Sequence, residues 1–213
     1  MKIEKISDRN IIFNYDLTVW DLNLHLILGE NRNYLIDTGL GSESIVPINK
    51  YLGNDKKPII VINTHHHWDH IWGNNCFRNG IIISHSLCRE LMIKNWDEML
   101  NGNKSFIRGD VKLCAPNLVF DDSLCYYDDG IKIFYTPGHT IDSISLYDEK
   151  DKVLNAGDNI GDSTDEIVPH LDTDKSVFIE SINKYRKLDI KACVSGHNSI
   201  LGKDVFDRIL ESI

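Results

Sequence analysis

Pro58-Ile59-Ile60-Val61-Ile62 runs without a break into Asn63-Thr64-His65-His66-His67-Trp68-Asp69-His70. The first part is short and wholly apolar, which predicts a strand covered on both faces. The histidines then fall in the loop at its carboxyl end, where open α/β sheets place their ligand chemistry. Residues two apart in an extended loop share a side, so His65 and His67 point together while His66 and Trp68 face away or line the rim. Asp69 and His70 begin a short helix and are directed at a second centre nearby. Imidazole and carboxylate suit zinc, and also manganese or iron. The pattern His-x-His-x-Asp-His is specific enough that a polar loop merely capping a helix is a poor account of it.

Three other places repeat the arrangement of a strand ending in a turn that presents one ligand type. Ile131–Tyr135 leads into Thr136-Pro137-Gly138-His139-Thr140, Val153–Asn155 into Ala156-Gly157-Asp158, and Ile190–Val194 into Ser195-Gly196-His197. Each alone is weak, but together, downstream of the histidine cluster, they form a set. Around them the pattern predicts strands at Lys2–Ser7, Ile11–Tyr15, Asn23–Leu28 and Asn33–Asp37, then a helix capped by Ser42. A strand at Ile81–Ser84 precedes a helix from Ser86 to about Lys94, and Asn95–Pro116 is expected to cover a neighbouring site. Strands at Leu118–Phe120, Leu124–Tyr126 and Ser143–Tyr147 and helices at Lys175–Leu188 and Asp204–Glu211 complete the pattern. Strands then helices, twice over, imply an α+β chain of two halves packed sheet to sheet.

Length and composition set bounds. The 213 residues suit one domain, taken as residues 1–213, and 42% hydrophobic with 26% charged residues is ordinary for a globular protein. The formal charge of -9 repels nucleic acid, and no run of Lys or Arg offers a local exception. No stretch approaches the roughly 18 consecutive apolar residues of a membrane span. The opening Met1-Lys2-Ile3-Glu4-Lys5-Ile6 alternates charge with apolar residues, unlike a signal peptide, so a cytoplasmic protein is expected. The 5 cysteines form no Cys-x-x-Cys pair, which argues for inert thiols rather than a disulfide framework. Nothing in the sequence bears on oligomeric state.

On Thr64–His70, Thr136–Thr140, Gly157-Asp158 and Gly196-His197, in that order, the chain resembles the metallo-β-lactamase-fold hydrolases over nearly its whole length. The resemblance implies a four-layer αββα sandwich with a metal centre at one edge of the two sheets. It implies two divalent ions, zinc before iron or manganese. His65, His67 and His139 would hold the first, Asp69, His70 and His197 the second, and Asp158 would bridge them. Asp37, in Ile36-Asp37-Thr38-Gly39, would orient one of the histidines, and Asp69 would assist proton transfer. The implied reaction is attack of a metal-shared hydroxide on a small-molecule ester, thioester or lactone.

Departures within the family narrow this. Sulfur-ligated β-lactamases carry Cys where Asp158 stands, diiron flavoproteins carry Glu in place of His67, and lactonases carry Tyr where this chain has Gly161. Ribonucleases of the fold have a basic insertion that is missing here. A rival of another reaction type is a persulfide dioxygenase with one iron on His65 or His67, His139 and Asp158; a third class is a non-catalytic metal-binding domain. Trp20, Trp68 and His170 are the candidate pocket residues. His25, among Leu22, Leu24 and Leu26, is expected on a solvent face, and His85 as a helix cap.

Overall fold

The structure, a computed structural model, describes residues 1–18 and 20–213. The chain opens with an antiparallel meander: β1 (Lys2–Lys5), β2 (Asn10–Asp16), β3 (Asp21–Leu28) and β4 (Asn33–Ile36). Helix α1 (Ser42–Leu52) then crosses to β5 (Ile59–Ile62), and α2 (Trp68–Ile71) leads on to β6 (Ile81–His85). Helix α3 (Ser86–Gly102) precedes β7 (Leu118–Phe120), so β4 to β7 pair in parallel. The second half contains β8 (Ser123–Tyr126), β9 (Ile131–Tyr135), β10 (Ile144–Asp148), β11 (Val153–Asn155), α4 (Lys175–Arg186), β12 (Ala192–Val194) and α5 (Val205–Ser212). The result is a seven-stranded sheet, ordered β1 to β7, and a five-stranded sheet ordered β12-β11-β10-β9-β8.

Side-chain alternation assembles the layers. On the larger sheet, Ile11, Phe13, Leu24, Leu26 and Leu35 meet Ile45 and Ile48 of α1, while Ile27, Tyr34, Ile36, Ile60, Ile62 and Ile83 face the other sheet. Their partners there are Ile131, Ile133, Ile144 and Leu146. The far face of the smaller sheet offers Tyr147, Leu154 and Cys193 to Phe178 and Ile182 of α4 and Phe206 and Ile209 of α5. Each fully buried aliphatic side chain contributes roughly 1.5–3 kcal/mol. The sandwich is therefore α, β, β, α, as expected, and β4, β5, β9, β11 and β12 all end toward one edge.

Local differences have local causes. Gly41, not Ser42, precedes α1; the Ser44 hydroxyl accepts from the Leu40 N–H at 3.1 Å and closes the turn. Helix α3 continues past Lys94 because Met92 and Trp96 keep a buried stripe against Ile71 and Trp72. His85 does cap α3, its Nδ1 accepting from the Leu87 N–H at 3.2 Å.

His25 is a correction. It is fully buried, because β3 is covered on both faces and its polar positions point between the sheets rather than to solvent. Its Nε2 donates to Asn10 Oδ1 at 3.0 Å, and Nδ1 lies 3.4 Å from Asn155 Nδ2. Burial pulls its pKa down to about 3. An unfolded histidine titrates near about 6.5. Between these values the unfolded chain binds a proton that the folded chain does not, so stability is lost as the pH falls through that window. The local slope contributed by His25 is about 1.4 kcal/mol per pH unit. Denaturant unfolding with a chelator present should show a shallower acid limb for His25→Gln than for the wild type; coincident slopes would show that His25 takes up its proton while folded.

Candidate metal centre

The ligand-type residues come together from separate strand ends. Asn63–His67 follow β5, Asp69 and His70 lie on α2, and His139, Asp158 and His197 follow β9, β11 and β12. Two sets result: His65, His67, His139 and Asp158, and Asp69, His70 and His197, with the potential ligand atoms of each set within 4.8 Å of one another.

Asp37 ties the cluster to the sheet. It sits just past β4 at φ 62°, a left-handed conformation that aspartate tolerates better than most residues. Its carboxylate accepts from the Thr64 N–H (2.8 Å), the Thr64 hydroxyl (2.7 Å) and His70 Nδ1 (2.8 Å). The Thr64 proton being spent on Asp37, the Thr64 oxygen is left to accept from His65 Nδ1 at 3.0 Å. His139 Nδ1 donates to the His170 carbonyl (2.8 Å) and His197 Nδ1 to the Asp21 carbonyl (2.7 Å). Each of these imidazoles has its Nδ1 proton engaged outward, which leaves Nε2 as the inward lone pair. His67 is turned the other way, its Nδ1 3.1 Å from His139 Nε2.

Asp158 Oδ2 is the common point. It lies 3.1 Å from His197 Nε2, 3.2 Å from His70 Nε2, 3.6 Å from His65 Nε2 and 3.8 Å from His139 Nε2. Of these four contacts, the one to His197 is a hydrogen bond. His65 Nε2, His70 Nε2 and Asp158 Oδ1 are buried without a hydrogen-bond partner among the described residues. Buried polar atoms are costly when unpaired, and the two Nε2 atoms lie 3.6 and 3.2 Å from Asp158 Oδ2 with no hydrogen bond made. Neutral imidazole nitrogens around a carboxylate form a donor set that fits divalent cations.

The electrostatics of the bare cluster are divided. Burial, with His70 close by, pushes His65 well below the usual histidine range, and burial takes His67 to about 4. Burial also opposes charge on His70 and His197, but Asp158 and Asp69 outweigh it, holding His70 well above its ordinary value and His197 at about 9. Asp158 is correspondingly held well below the carboxylate range, its burial outweighed by His70, His197 and His65.

The cluster floors a cleft of about 240 Å³ lined by Trp20, His67, Trp68, Asp69, His139, Asp158, Asp162 and His197. Trp20 and Trp68, two of the candidate pocket residues, line it. The His170 imidazole does not: its side chain is 83% exposed, 3.2 Å from Asp172, and only its carbonyl reaches inward. Two residues that the sequence did not single out complete the cleft. Phe106, from the stretch expected to form a cover, backs Trp20 and Trp68 at centroid distances of 4.9 and 5.1 Å. Asp162 stands on the loop after Asp158.

His66 points away from the cluster, and its Nδ1 meets the buried Asp142 Oδ1 at 2.9 Å. His66→Ala strands that carboxylate and should cost about 3 kcal/mol of stability. Metal content should stay at the wild-type value, checked by thermal unfolding beside elemental analysis; loss of a metal equivalent would place His66 among the ligands.

Known proteins resemble this chain in sequence and in fold. The sequence profile of the metallo-beta-lactamase superfamily matches residues 17–197, most of the chain. A "Probable metallo-hydrolase" of Methanocaldococcus jannaschii is 32% identical over 146 residues, covering 68% of this chain and 59% of that protein's own length. The acyl-coenzyme A thioesterase MBLAC2 of Gallus gallus is 23% identical over 212 residues, covering 88% of this chain and 76% of that protein. Among solved structures, the metallo-beta-lactamase of Hirschia baltica superposes with a TM-score of 0.75 at 17% identity, covering 99% of this chain and 96% of the other. That of Pontibacter korlensis gives 0.73 at 19% identity, covering 100% and 99%. At such identities these structures speak for the fold alone. With its profile match, and with strand ends that converge on one histidine and aspartate cluster, the chain belongs to the metallo-beta-lactamase superfamily.

Proposed function

We propose that the chain, acting as one domain over residues 1–213, is a hydrolase of small-molecule esters, thioesters or lactones that depends on two divalent ions, zinc in the first place. The observation that carries this is the convergence of His65 Nε2 and His70 Nε2, buried and without hydrogen-bond partners among the described residues, on Asp158 Oδ2, beside an open cleft that Asp158 lines. In this reading His65, His67 and His139 hold one ion, Asp69, His70 and His197 the other, and Asp158 is shared. Ions bound there would supply Lewis acidity toward the substrate carbonyl and a water of lowered pKa.

The chain's own groups do the rest. The Asp69 carboxylate, 3.4 Å from His197 Nε2 and part of the cleft lining, takes the proton of the attacking water and returns it to the leaving group. Trp20 and Trp68 wall the cleft and exclude water beside the scissile bond. Asp37, Thr64 and the carbonyls of Asp21 and His170 keep the imidazoles of His70, His65, His197 and His139 in their ligating orientations. The similarity to an acyl-coenzyme A thioesterase brings thioesters into the set. No helix among the described residues is long and apolar enough to cross a membrane, and Cys76, Cys88, Cys114, Cys125 and Cys193 are all free thiols, which suits the reducing, cytoplasmic setting we propose.

Elemental analysis of protein purified without added metal tests the reading, paired with thioester and lactone hydrolysis before and after chelation. Close to two zinc ions per chain, with turnover lost on chelation and regained with zinc, is expected. Close to one iron, with oxygen uptake on persulfides, would replace hydrolysis by oxygenation.

A further inference from the structure

We propose that the cleft receives substrates whose non-reacting end carries an ammonium group, held between the indoles of Trp20 and Trp68 and the carboxylate of Asp162. This rests on the hydrolase reading above and narrows its substrate class.

The aromatic part of the cleft is a packed cluster. Trp20 and Trp68 stand edge to face with centroids 6.0 Å apart, Phe106 packs against both, and Trp72 backs Trp68 at 5.0 Å. An indole braced in this way offers its negative face at little entropic cost, and a cation within about 6 Å of it is attracted by the ring quadrupole. Asp162 lines the same cleft from a different segment, with its side chain exposed. Its neighbour Gly161 is pinned from both sides, its N–H donating to the Ile167 carbonyl (2.9 Å) and its carbonyl accepting from Asn198 Nδ2 (2.8 Å). The carboxylate therefore stands on an anchored base.

No lysine or arginine lines the cleft among the described residues. The loop from Gly161 to Asp174 adds Asp165, Glu166, Asp172 and Asp174 and contains no Lys or Arg. Arg208 reaches that loop only through the Thr164 carbonyl, at 3.0 Å. An anionic substrate tail would meet Asp162 with no lysine or arginine in the lining beside it, whereas an ammonium would meet both a carboxylate and aromatic rings. Aromatic faces beside a carboxylate are the chemistry that recognises quaternary and primary ammonium groups. The polyanionic tail of a coenzyme A thioester is the least suited occupant.

The test uses thioesters sharing one acyl group, with the released thiol followed on zinc-loaded full-length protein: butyrylthiocholine, S-butyryl-N-acetylcysteamine and butyryl-coenzyme A. The expected kcat/KM falls in that order, by about tenfold at each step at low salt, with the differences shrinking as salt is raised. Asp162→Asn should lower the cationic-to-neutral ratio about three- to tenfold. A parallel titration follows tryptophan fluorescence with benzyltrimethylammonium and with benzenesulfonate. The cation should quench saturably and at least about tenfold more tightly, and Trp20→Ala should remove that preference. Hydrolysis of all three thioesters without a charge order, or equal quenching by both probes, overturns the ammonium site and leaves the hydrolase standing. Preferential quenching by the cation with none of the thioesters cleaved supports the ammonium site and removes thioesters from the proposed function.

Discussion

Asp158→Ala is expected to leave a folded protein that has lost most of its metal and at least about a thousandfold in hydrolytic kcat/KM, a loss of several kcal/mol in transition-state stabilisation. The size of the effect reflects where the side chain sits. Its Oδ2 lies within 3.8 Å of the Nε2 atoms of His65, His70, His139 and His197, so both candidate ligand sets close on it. It is also the main anion that holds His70 and His197 above their ordinary pKa values. Without it His197 remains buried beside Asp69 alone, while His70 keeps both Asp69 and Asp37, so burial then favours the neutral form of His197 first. The pH dependence of the residual cluster should therefore move: in metal-free Asp158→Ala, His197 should titrate well below its value of about 9 in the parent protein. Nuclear magnetic resonance of the imidazole Cε1–H signals with pH measures this directly. Metal analysis and kinetics of the same preparation measure the rest. A variant that kept two metals and full turnover would remove Asp158 from the centre.

Much of this site was legible because its parts are punctuation in the sequence. A short apolar run rich in β-branched residues, such as Ile59–Ile62, reads as an interior strand, and the carboxyl end of an interior strand opens into a surface loop. Thr136-Pro137-Gly138-His139 and Ala156-Gly157-Asp158 announce themselves in the same way, by residues that end a strand and turn the chain. Even the unassigned stretch after Lys94 carries its signal, since Met92, Trp96 and Met99 keep helical spacing through it.

What stayed hidden falls into two kinds. The groups that orient the imidazoles of His139 and His197 are the backbone carbonyls of His170 and Asp21, and a carbonyl leaves no residue-type signature. The sequence therefore pointed to the His170 side chain, when the loop contributes only its main chain. The second kind is burial on both faces of β3. Alternation of Leu22, Leu24 and Leu26 with Asn23 and His25 reads as half-exposed, yet Asn23 and His25 point between two sheets. There Asn10 and Asn155 satisfy His25, and Asn23 donates to the Ser195 and Asn198 carbonyls at 3.1 and 2.7 Å. A period of two fixes which residues share a face, but not what covers that face.

Gly196 offers a sharper trial of the centre, because its substitution changes space and little else. Its backbone is not in the left-handed region, so alanine suits it conformationally. A Cβ there, however, would overlap Asp158 Oδ1 and stand 2.8 Å from His70 Cε1 and 3.2 Å from Asp158 Cγ. The methyl group would occupy the place where the shared carboxylate meets the second ligand set. Gly196→Ala should fold, since the Gly196 N–H to the Gly157 carbonyl (3.2 Å) and the Asn23 N–H to the Gly196 carbonyl (2.7 Å) involve only backbone. Displacing Asp158 and His70 by a fraction of an ångström to about 1 Å should cost on the order of a hundredfold in kcat/KM and lower the metal content. Gly102→Ala is the matched control, because a Cβ at Gly102 meets nothing within 4 Å. The pair separates a general intolerance of larger residues from a specific demand at the cluster. If both variants kept wild-type metal content and turnover, the point where Asp158, His70 and Gly196 meet would not be part of the working centre.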